Sequence, residues 1–199
     1  VVGSPVDGWG EEGRLVWMLR TLGHPQAVMV DGGYHALLAA GVAMRAGEEE
    51  PPPRGDFVIE RDASLAISGE ELSQRVADGE QLGPSLRLID TREPGEYDGL
   101  TPYGEQRGGH VPGAVHLYYE ELLDGLGYLL SAEAVEAALA ERGLARGQDI
   151  VAYCTGGVRS GWLVAVLRDL GYAKSRNYAG SMWEWSAQGQ DTHPLVGAA

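Results

Sequence analysis

The feature that most constrains this 199-residue chain is an internal repeat in which two segments are separated by 148 positions. In that register GRLVWMLRTLGH (13–24) lies on GWLVAVLRDLGY (161–172) without a gap, and three leucines, a valine, an arginine and two glycines coincide. So many matches in one ungapped register indicate a duplication. Residues 1–47 are therefore predicted to copy only the second half of a later domain.

An acidic run and three prolines, EEEPPP at 48–53, separate the two parts of the repeat. Because proline continues neither a helix nor a central strand, residues 48–56 are predicted to be a stiff linker. The chain then divides into a partial repeat, 1–47, and a domain, 57–199. Half of an α/β sheet leaves unpaired edges and apolar faces. We therefore expect that the natural protein starts earlier, or that this fragment docks on a partner segment.

Short apolar runs alternate with helical patterns after the linker. LRLID (86–90), DIVAYC (149–154) and SRNYAG (175–180) are predicted strands, the first two buried in a parallel sheet. SAEAVEAALAERGL (131–144) and SGWLVAVLRDLGY (160–172) are predicted helices. This alternation, with short connections, predicts an α/β domain with a mostly parallel sheet.

Composition excludes several classes of function. The net charge of −14 argues against nucleic acid and anionic membranes as partners, since both reward clustered basic residues. No apolar run is long enough to span a bilayer. The single cysteine excludes an internal disulfide and a cysteine-based zinc site. We expect a cytoplasmic protein, because one free reactive thiol survives best under reducing conditions.

The segment around that cysteine carries the chemical signal. Cys154 ends a predicted strand, where ligands of open α/β sheets collect, and a helix follows with free N–H groups at its start. Between them lie the residues of the predicted anion-binding loop, namely Thr155, Gly156, Gly157, Val158 and Arg159. The paired glycines allow this loop to turn its N–H groups inward, so the Cys154 thiol is predicted to have a lowered pKa and to be reactive. The alternative is a buried structural thiol before an ordinary glycine turn.

Four short motifs share one resemblance. VAYCTGGVRSG (151–161) resembles the active-site loop of the rhodanese family, and LIDTREPGEYDG (88–99), GGHVPGAVHL (108–117) and NYAGSMWEWS (177–186) resemble its other signatures, in the family's order. The resemblance implies a rhodanese-like, doubly wound parallel sheet, complete in the C-terminal domain. The partial repeat resembles the inactive N-terminal domain of tandem rhodaneses.

The resemblance also implies a reaction. The Cys154 thiolate takes the sulfane sulfur of a small anionic donor, thiosulfate, and releases sulfite, while the loop N–H groups hold the persulfide. Cyanide or a thiol acceptor then removes the sulfur, and no metal or organic cofactor is implied. Relatives that use 3-mercaptopyruvate tend to have a neutral residue at the position of Arg159, so Arg159 favours thiosulfate over that alternative donor.

Supporting roles follow from the same resemblance. Asp90 is expected to brace the catalytic loop, the alternative being a strand-end turn acid. Arg92 is expected to tie loops together, Ser160 to support the loop, and Arg107 to meet the charge of the donor. Glu96 differs from the cation that some thiosulfate-specific relatives carry there, which bears on donor preference.

The remaining aromatic and histidine candidates have structural alternatives. Trp183 and Trp185 are candidates for a pocket wall, although aromatic residues two apart are more often core. His110 and His116 flank a Pro-Gly turn without an acidic or cysteine partner spaced for a metal. By the resemblance His110 is structural.

The first copy of the repeat has lost the reactive groups. The ungapped register places Val6 opposite Cys154, and Glu11 and Glu12 opposite Arg159 and Ser160. We therefore predict that this copy is catalytically dead and packs against the active domain.

Two other classes of function compete with sulfur transfer. Cysteine-dependent phosphatases and arsenate reductases also place a cysteine before a helix, but five residues separate their cysteine and arginine, whereas four separate Cys154 and Arg159. A non-enzymatic binding module of the same fold is the other alternative, because fold does not fix function. The intact cysteine and glycines count against it.

Overall fold

The computed structural model describes residues 1–4, 8–48, 50–77 and 86–197. Its α-helices are α1 (Glu11–Thr21), α2 (Gly33–Ala39), α3 (Gly69–Ala77), α4 (Pro94–Asp98), α5 (Ala132–Glu141), α6 (Val158–Asp169) and α7 (Ser181–Trp185). Its strands are β1 (Leu86–Asp90), β2 (Val115–His116), β3 (Asp149–Tyr153) and β4 (Ser175–Asn177). Two 3₁₀ turns cover Ala63–Leu65 and Tyr119–Leu122.

The four strands form one parallel sheet in the order β2-β1-β3-β4. This confirms the α/β class and the parallel sheet. The sequence placed the boundaries less well: α6 begins at Val158, two residues earlier than predicted, because Gly157 caps it in the left-handed conformation at φ 79°. Strand β4 ends at Asn177, three residues before the predicted end.

The sheet is buried on both faces, as a doubly wound fold requires. Ile89, Ile150 and Ala152 face the core shared with α5 and α6. The alternate residues, among them Leu88 and Val151, face a second core shared with α3 and α7. This alternation follows from the two-residue period of a strand, and it leaves the carboxyl end of β3 at the start of α6.

Residues 1–47 lie against the sheet domain through α1 and α6. The contact is close and reciprocal: Gly13 of α1 lies against Trp162, and Gly161 of α6 lies against Arg14. A Cβ on Gly13 would overlap Trp162 at 2.5 Å, so that position needs glycine, while a Cβ on Gly161 would lie in tight contact with Arg14 at 3.0 Å. Among the described residues, 42–62 contain no helix or strand, and the predicted linker lies within that stretch. In the described parts of the chain, no helix is both long and apolar enough to cross a membrane.

Candidate active site

Cys154 lies immediately beyond β3 and before α6, with a side chain that is almost completely buried. Its Sγ accepts a hydrogen bond from the Gly157 N–H at 3.1 Å, and the Ser160 Oγ lies 3.6 Å away. Both donors stand at the N-terminal end of α6, where N–H groups have no partner within the helix. The thiol therefore sits where a negative charge is stabilised.

The carbonyl groups of the catalytic loop are held away from the sulfur. Met182 N donates to the Cys154 carbonyl and Trp183 N donates to the Thr155 carbonyl, each at 3.0 Å. The Cys154 N–H is occupied as well, because it donates to the Ser181 Oγ at 3.1 Å. Ser181 has a φ of 52°, alone in the left-handed region among the described non-glycine residues. The first turn of α7 thus fixes the outer side of the loop and leaves its inner N–H groups for the sulfur.

Both glycines of the loop are required, because a Cβ atom at either position would overlap a neighbouring group. Gly157 has a φ of 79°, and a Cβ there would lie 2.5 Å from the Ala179 carbonyl oxygen. A Cβ on Gly156 would lie 2.5 Å from the Trp183 ring. Backbone and indole therefore come as close to the loop as glycine allows.

Glu96, which sequence reasoning connected only with donor preference, braces the catalytic loop. Its carboxylate receives Arg159 Nη1 at 2.6 Å and Nη2 at 2.9 Å, and it also accepts a hydrogen bond from the Thr155 hydroxyl. All three side chains are buried. Burial raises the pKa of Glu96, but the Arg159 and Thr155 hydrogen bonds outweigh it and hold that pKa below its ordinary value. The Arg159 charge is therefore compensated inside the protein.

The pKa of Cys154 lies below the ordinary value of a thiol. Burial raises it, but the positive charge of Arg159 and hydrogen bonds from Ser160 and the Gly156 N–H lower it further than burial raises it. A thiolate held by these groups is the nucleophilic form of cysteine.

Asn177, at the end of β4, is a site residue that sequence reasoning missed. It accepts a hydrogen bond from Ser160 Oγ at 2.8 Å, and its Nδ2 donates to the Gly157 carbonyl at 3.1 Å. Asn177 therefore links the two groups that contact the sulfur. A buried asparagine inside a predicted strand was the available signal, since a buried amide needs partners.

The site opens through a narrow aromatic mouth. A cavity of about 30 Å³ lies above the loop and is lined by Cys154, Thr155, Gly156, Val158, Arg159, Tyr103, Trp183 and Trp9. Such a volume exceeds the minimum for one water molecule, so it can hold a single additional atom on the sulfur. Trp9 packs edge-to-face on Tyr103 with ring centroids 5.2 Å apart. Trp183 thus lines the pocket, whereas Trp185 is fully buried core.

Two predicted site residues are engaged elsewhere. The Asp90 carboxylate binds the Arg92 guanidinium, at 2.6 Å for the shortest contact, and within the described chain none of its side-chain hydrogen bonds reaches residues 154–159. The predicted brace by Asp90 is thus replaced by Glu96, whose longer side chain comes from the helix beside the loop. Arg107 donates to the carbonyls of Trp185, Ser186 and His193, so its charge does not face Cys154.

Arg92 and the histidines join segments of the backbone. Arg92 also donates to the Gly109 carbonyl at 2.8 Å and so connects β1 to the following loop. His110 stacks on Tyr97 with ring centroids 3.7 Å apart, and His116 Nε2 lies 2.7 Å from the Arg92 carbonyl oxygen. In the described ranges, no three His, Cys, Asp or Glu side chains are grouped as metal ligands would be.

The partial repeat places no cysteine near its own helix start. Val6, the predicted counterpart of Cys154, lies outside the described residues. Glu12 is buried beside Trp162, its Oε2 has no hydrogen-bond partner among the described residues, and burial raises its pKa. The start of α1 therefore disfavours a negative charge on Glu12, whereas the start of α6 stabilises one on Cys154.

Comparison with known proteins gives a consistent result. A family model described as "Rhodanese-like domain" matches residues 68–188. The chain is 31% identical to a thiosulfate sulfurtransferase of Azotobacter vinelandii over 180 residues, covering 90% of this chain and 64% of that protein. It is 35% identical to a probable 3-mercaptopyruvate sulfurtransferase of Pseudomonas aeruginosa over 177 residues, covering 86% and 59% respectively.

The structural comparison agrees in fold. The crystal structure of the Tum1 protein from Saccharomyces cerevisiae superposes with a TM-score of 0.80 at 22% identity, and the match covers 96% of this chain and 66% of that one. The chain therefore spans about two thirds or less of the length of the relatives it matches.

Proposed function

Because this chain belongs to the rhodanese family, we propose that it is a sulfurtransferase in which Cys154 carries the transferred sulfur, with thiosulfate as the donor. The strongest support for the proposal is the hydrogen bond to the sulfur. Cys154 Sγ accepts the Gly157 N–H at 3.1 Å inside a loop whose Cys154 and Thr155 carbonyls are bonded to α7. Such a loop stabilises an anion on the sulfur and on one atom attached to it.

In the first half-reaction the Cys154 thiolate attacks the sulfane sulfur of thiosulfate. A new S–S bond forms, the S–S bond of thiosulfate breaks, and sulfite leaves with the electron pair. The product is a Cys154 persulfide, whose terminal sulfur occupies the small cavity above the loop. Its negative charge is stabilised by the same N–H groups that held the thiolate.

In the second half-reaction a nucleophile attacks the terminal sulfur of the persulfide. Cyanide or a thiolate forms a bond to that sulfur, and the S–S bond breaks with its electron pair returning to Cys154. The lowered pKa of Cys154 supports this step, since a thiolate of low pKa is a good leaving group. Neither step needs a metal or an organic cofactor.

The second candidate donor is 3-mercaptopyruvate, and the ion pair at Glu96 favours it. Because Glu96 compensates the Arg159 charge, the pocket offers a dianion less attraction than the sequence of the loop indicates. We place thiosulfate first because relatives that use 3-mercaptopyruvate tend to have a neutral residue at the position of Arg159. A phosphate or arsenate oxyanion is disfavoured, since the Arg159 guanidinium is bound to Glu96 and Thr155.

Intact mass measured after incubation with each donor tests the function. We expect the wild-type protein to gain one sulfur atom from thiosulfate, with release of sulfite, and to lose it on addition of cyanide. Cys154→Ala is the control and gains nothing. A protein loaded by 3-mercaptopyruvate and not by thiosulfate would move the proposal to the second donor. Loading by neither would refute it.

We further propose that residues 1–47 are covered by more polypeptide, either the first half of an N-terminal domain or a partner segment. Exposed apolar side chains on this part of the chain, among them Leu15, Val28 and Leu38, support the proposal. Binding of an apolar fluorescent dye, compared before and after Leu15→Gln and Leu38→Gln, measures that surface. We assign the protein to the cytoplasm, because its one thiol must stay reduced to act.

A further inference from the structure

One side chain from outside the catalytic domain contacts the sulfur-bearing loop. Arg14, in the first turns of α1, donates a hydrogen bond from Nη1 to the Gly157 carbonyl at 2.7 Å. The two residues are 143 positions apart in the chain. The Gly157 carbonyl also accepts the Asn177 Nδ2–H, so side chains from two elements hold this oxygen.

Gly157 is the residue through which the loop holds the sulfur. Its N–H donates to Cys154 Sγ, while its carbonyl receives Arg14. Because glycine has more conformational freedom than any other residue, contacts with neighbouring groups are what fix Gly157 at its φ of 79°. A donor on the carbonyl fixes the Gly157–Val158 peptide and so limits the rotation of Gly157 that would turn its N–H away from the sulfur.

The charge of Arg14 is not compensated as that of Arg159 is. Arg159 is paired with Glu96, whereas in the part of the chain that the structure describes no carboxylate lies within 4.0 Å of Arg14. Its guanidinium instead lies 4.6 Å from the centroid of the Trp17 ring. Burial lowers the pKa of Arg14 and attraction to the Cys154 anion opposes that shift, so the two charges interact.

The reciprocal contact between the helices shows what is particular to Arg14. Trp162 is its counterpart in the repeat register and lies against Gly10 and Gly13 at the start of α1. Thus α6 places the uncharged Trp162 indole against the start of α1, where there is no cysteine. Helix α1 places the Arg14 cation against the loop that holds Cys154. A contact needed only for packing does not require that difference.

We propose that Arg14 is a positioning residue for sulfur transfer, which holds the Gly157 peptide and stabilises the Cys154 thiolate and persulfide from behind the catalytic loop. The proposal rests on the proposed function for the persulfide but not for the thiolate. Among the described residues, the other charged or titratable side chains around Cys154 are Arg159 and its partner Glu96, Tyr103 at the mouth, and the Asp90–Arg92 pair at the end of β1.

The test is the pH dependence of Cys154 alkylation by iodoacetamide in Arg14→Met, Arg14→Lys and Arg20→Met. Methionine keeps an apolar stem on Trp17 but removes the charge, and we expect it to raise the measured pKa of Cys154 by about 1. Lysine restores charge without the fork of donors and should recover part of that shift. At pH values below the measured pKa of Cys154, thiosulfate loading should fall by up to about tenfold in Arg14→Met.

Arg20→Met is the matched control. Arg20 also joins α1 to α6, through Asp169, but it stands six residues, or more than one turn, further from the loop. We expect Arg20→Met to leave the pKa of Cys154 unchanged. An unshifted pKa in Arg14→Met, or an equal shift in Arg20→Met, would overturn the proposal. A shifted pKa in a protein that takes no sulfur would support Arg14 while refuting the sulfurtransferase.

Discussion

Helices α1 and α6 have the same pattern and pack on each other, yet their N-terminal ends present opposite chemistry. Both begin after a left-handed glycine, Gly10 at φ 77° and Gly157 at φ 79°. At the start of α6 the Gly157 N–H holds a sulfur. At the start of α1 the carboxyl group of Glu12 is buried, and in the part of the chain that the structure describes one of its oxygens has no hydrogen-bond partner. A helix start therefore becomes an anion site only when the residues around it supply the remaining donors and charge.

Helix α6 is one residue longer than α1, and the extra residue lies at its N-terminal end. The C-terminal caps, Leu22 and Leu170, are 148 positions apart, as the repeat register predicts, whereas the N-terminal caps, Gly10 and Gly157, are 147 apart. The two copies therefore keep the repeat register from the helix body to the C-terminal cap and depart from it by one residue at the N-terminal cap. The divergence falls where the chemistry differs, and the helix body keeps the packing.

The largest expected effect comes from substituting the two capping glycines. In Gly157→Ala the new Cβ meets the Ala179 carbonyl oxygen at 2.5 Å and also meets Arg14, so the loop must move. We expect thiosulfate loading to fall about 100-fold, the order seen when an aimed donor is lost from an anion site. Loading is followed by intact mass over time.

Gly10→Ala is the matched variant. Its Cβ meets Trp162 at 2.8 Å under a similar φ. It should lower the melting temperature as Gly157→Ala does, since both substitutions strain the backbone by about 1–3 kcal/mol. It should nevertheless keep loading within a few-fold of wild type. Equal losses of loading in the two variants would mean that the two helix starts are equivalent.

The second effect concerns Glu96 and Glu12, two buried glutamates whose pKa values are shifted in opposite directions. Glu96→Ala leaves the buried Arg159 charge without a carboxylate, and we expect it to cost about 3 kcal/mol of unfolding free energy at pH 7. The pKa of Glu96 is lowered in the folded state, so its contribution is present above the ordinary value of 4.5 and disappears as the pH falls through the folded value. Urea unfolding between pH 7 and pH 3 measures both parts.

Glu12→Gln is expected to act in the opposite sense. Burial raises the pKa of Glu12, so its ionisation destabilises the fold as the pH rises from 4.5 through the folded value. The substitution should stabilise the protein at pH 7 by about 1 kcal/mol and have no such effect in acid. Asp98→Asn, which removes an exposed charge from α4, is the control and should change little. A destabilising Glu12→Gln would show that this carboxyl is satisfied in solution.

The sequence predicts the features of this molecule that are encoded within short segments. The strands, the main helices and the cysteine loop follow from local periodicity, glycine placement and the ends of apolar runs. The Glu96–Arg159 pair joins residues 63 positions apart, and the Arg14–Gly157 hydrogen bond joins residues 143 apart. No periodicity within one segment reports such contacts. They arise only when the helices around the carboxyl end of β3 pack, which is also why Asp90 and Arg107 were placed wrongly.

The smallest expected effect lies at the mouth of the pocket, where the two parts of the chain meet again. Trp9 comes from the partial repeat and Trp183 from the catalytic domain, and each ring is about half exposed. We expect Trp9→Ala to slow sulfur transfer from the persulfide to an aromatic thiol two- to about tenfold, because an aromatic contact contributes about 0.5–1.5 kcal/mol. Transfer to cyanide should be nearly unchanged, since cyanide has no apolar surface to place against the ring. Stopped-flow measurement of both acceptors on preloaded protein gives the comparison.

Trp183→Ala, which also uncovers Gly156, should slow transfer to both acceptors. If Trp9→Ala slows transfer to cyanide as much as transfer to the thiol, Trp9 acts on the catalytic loop itself and not on the entrance to it.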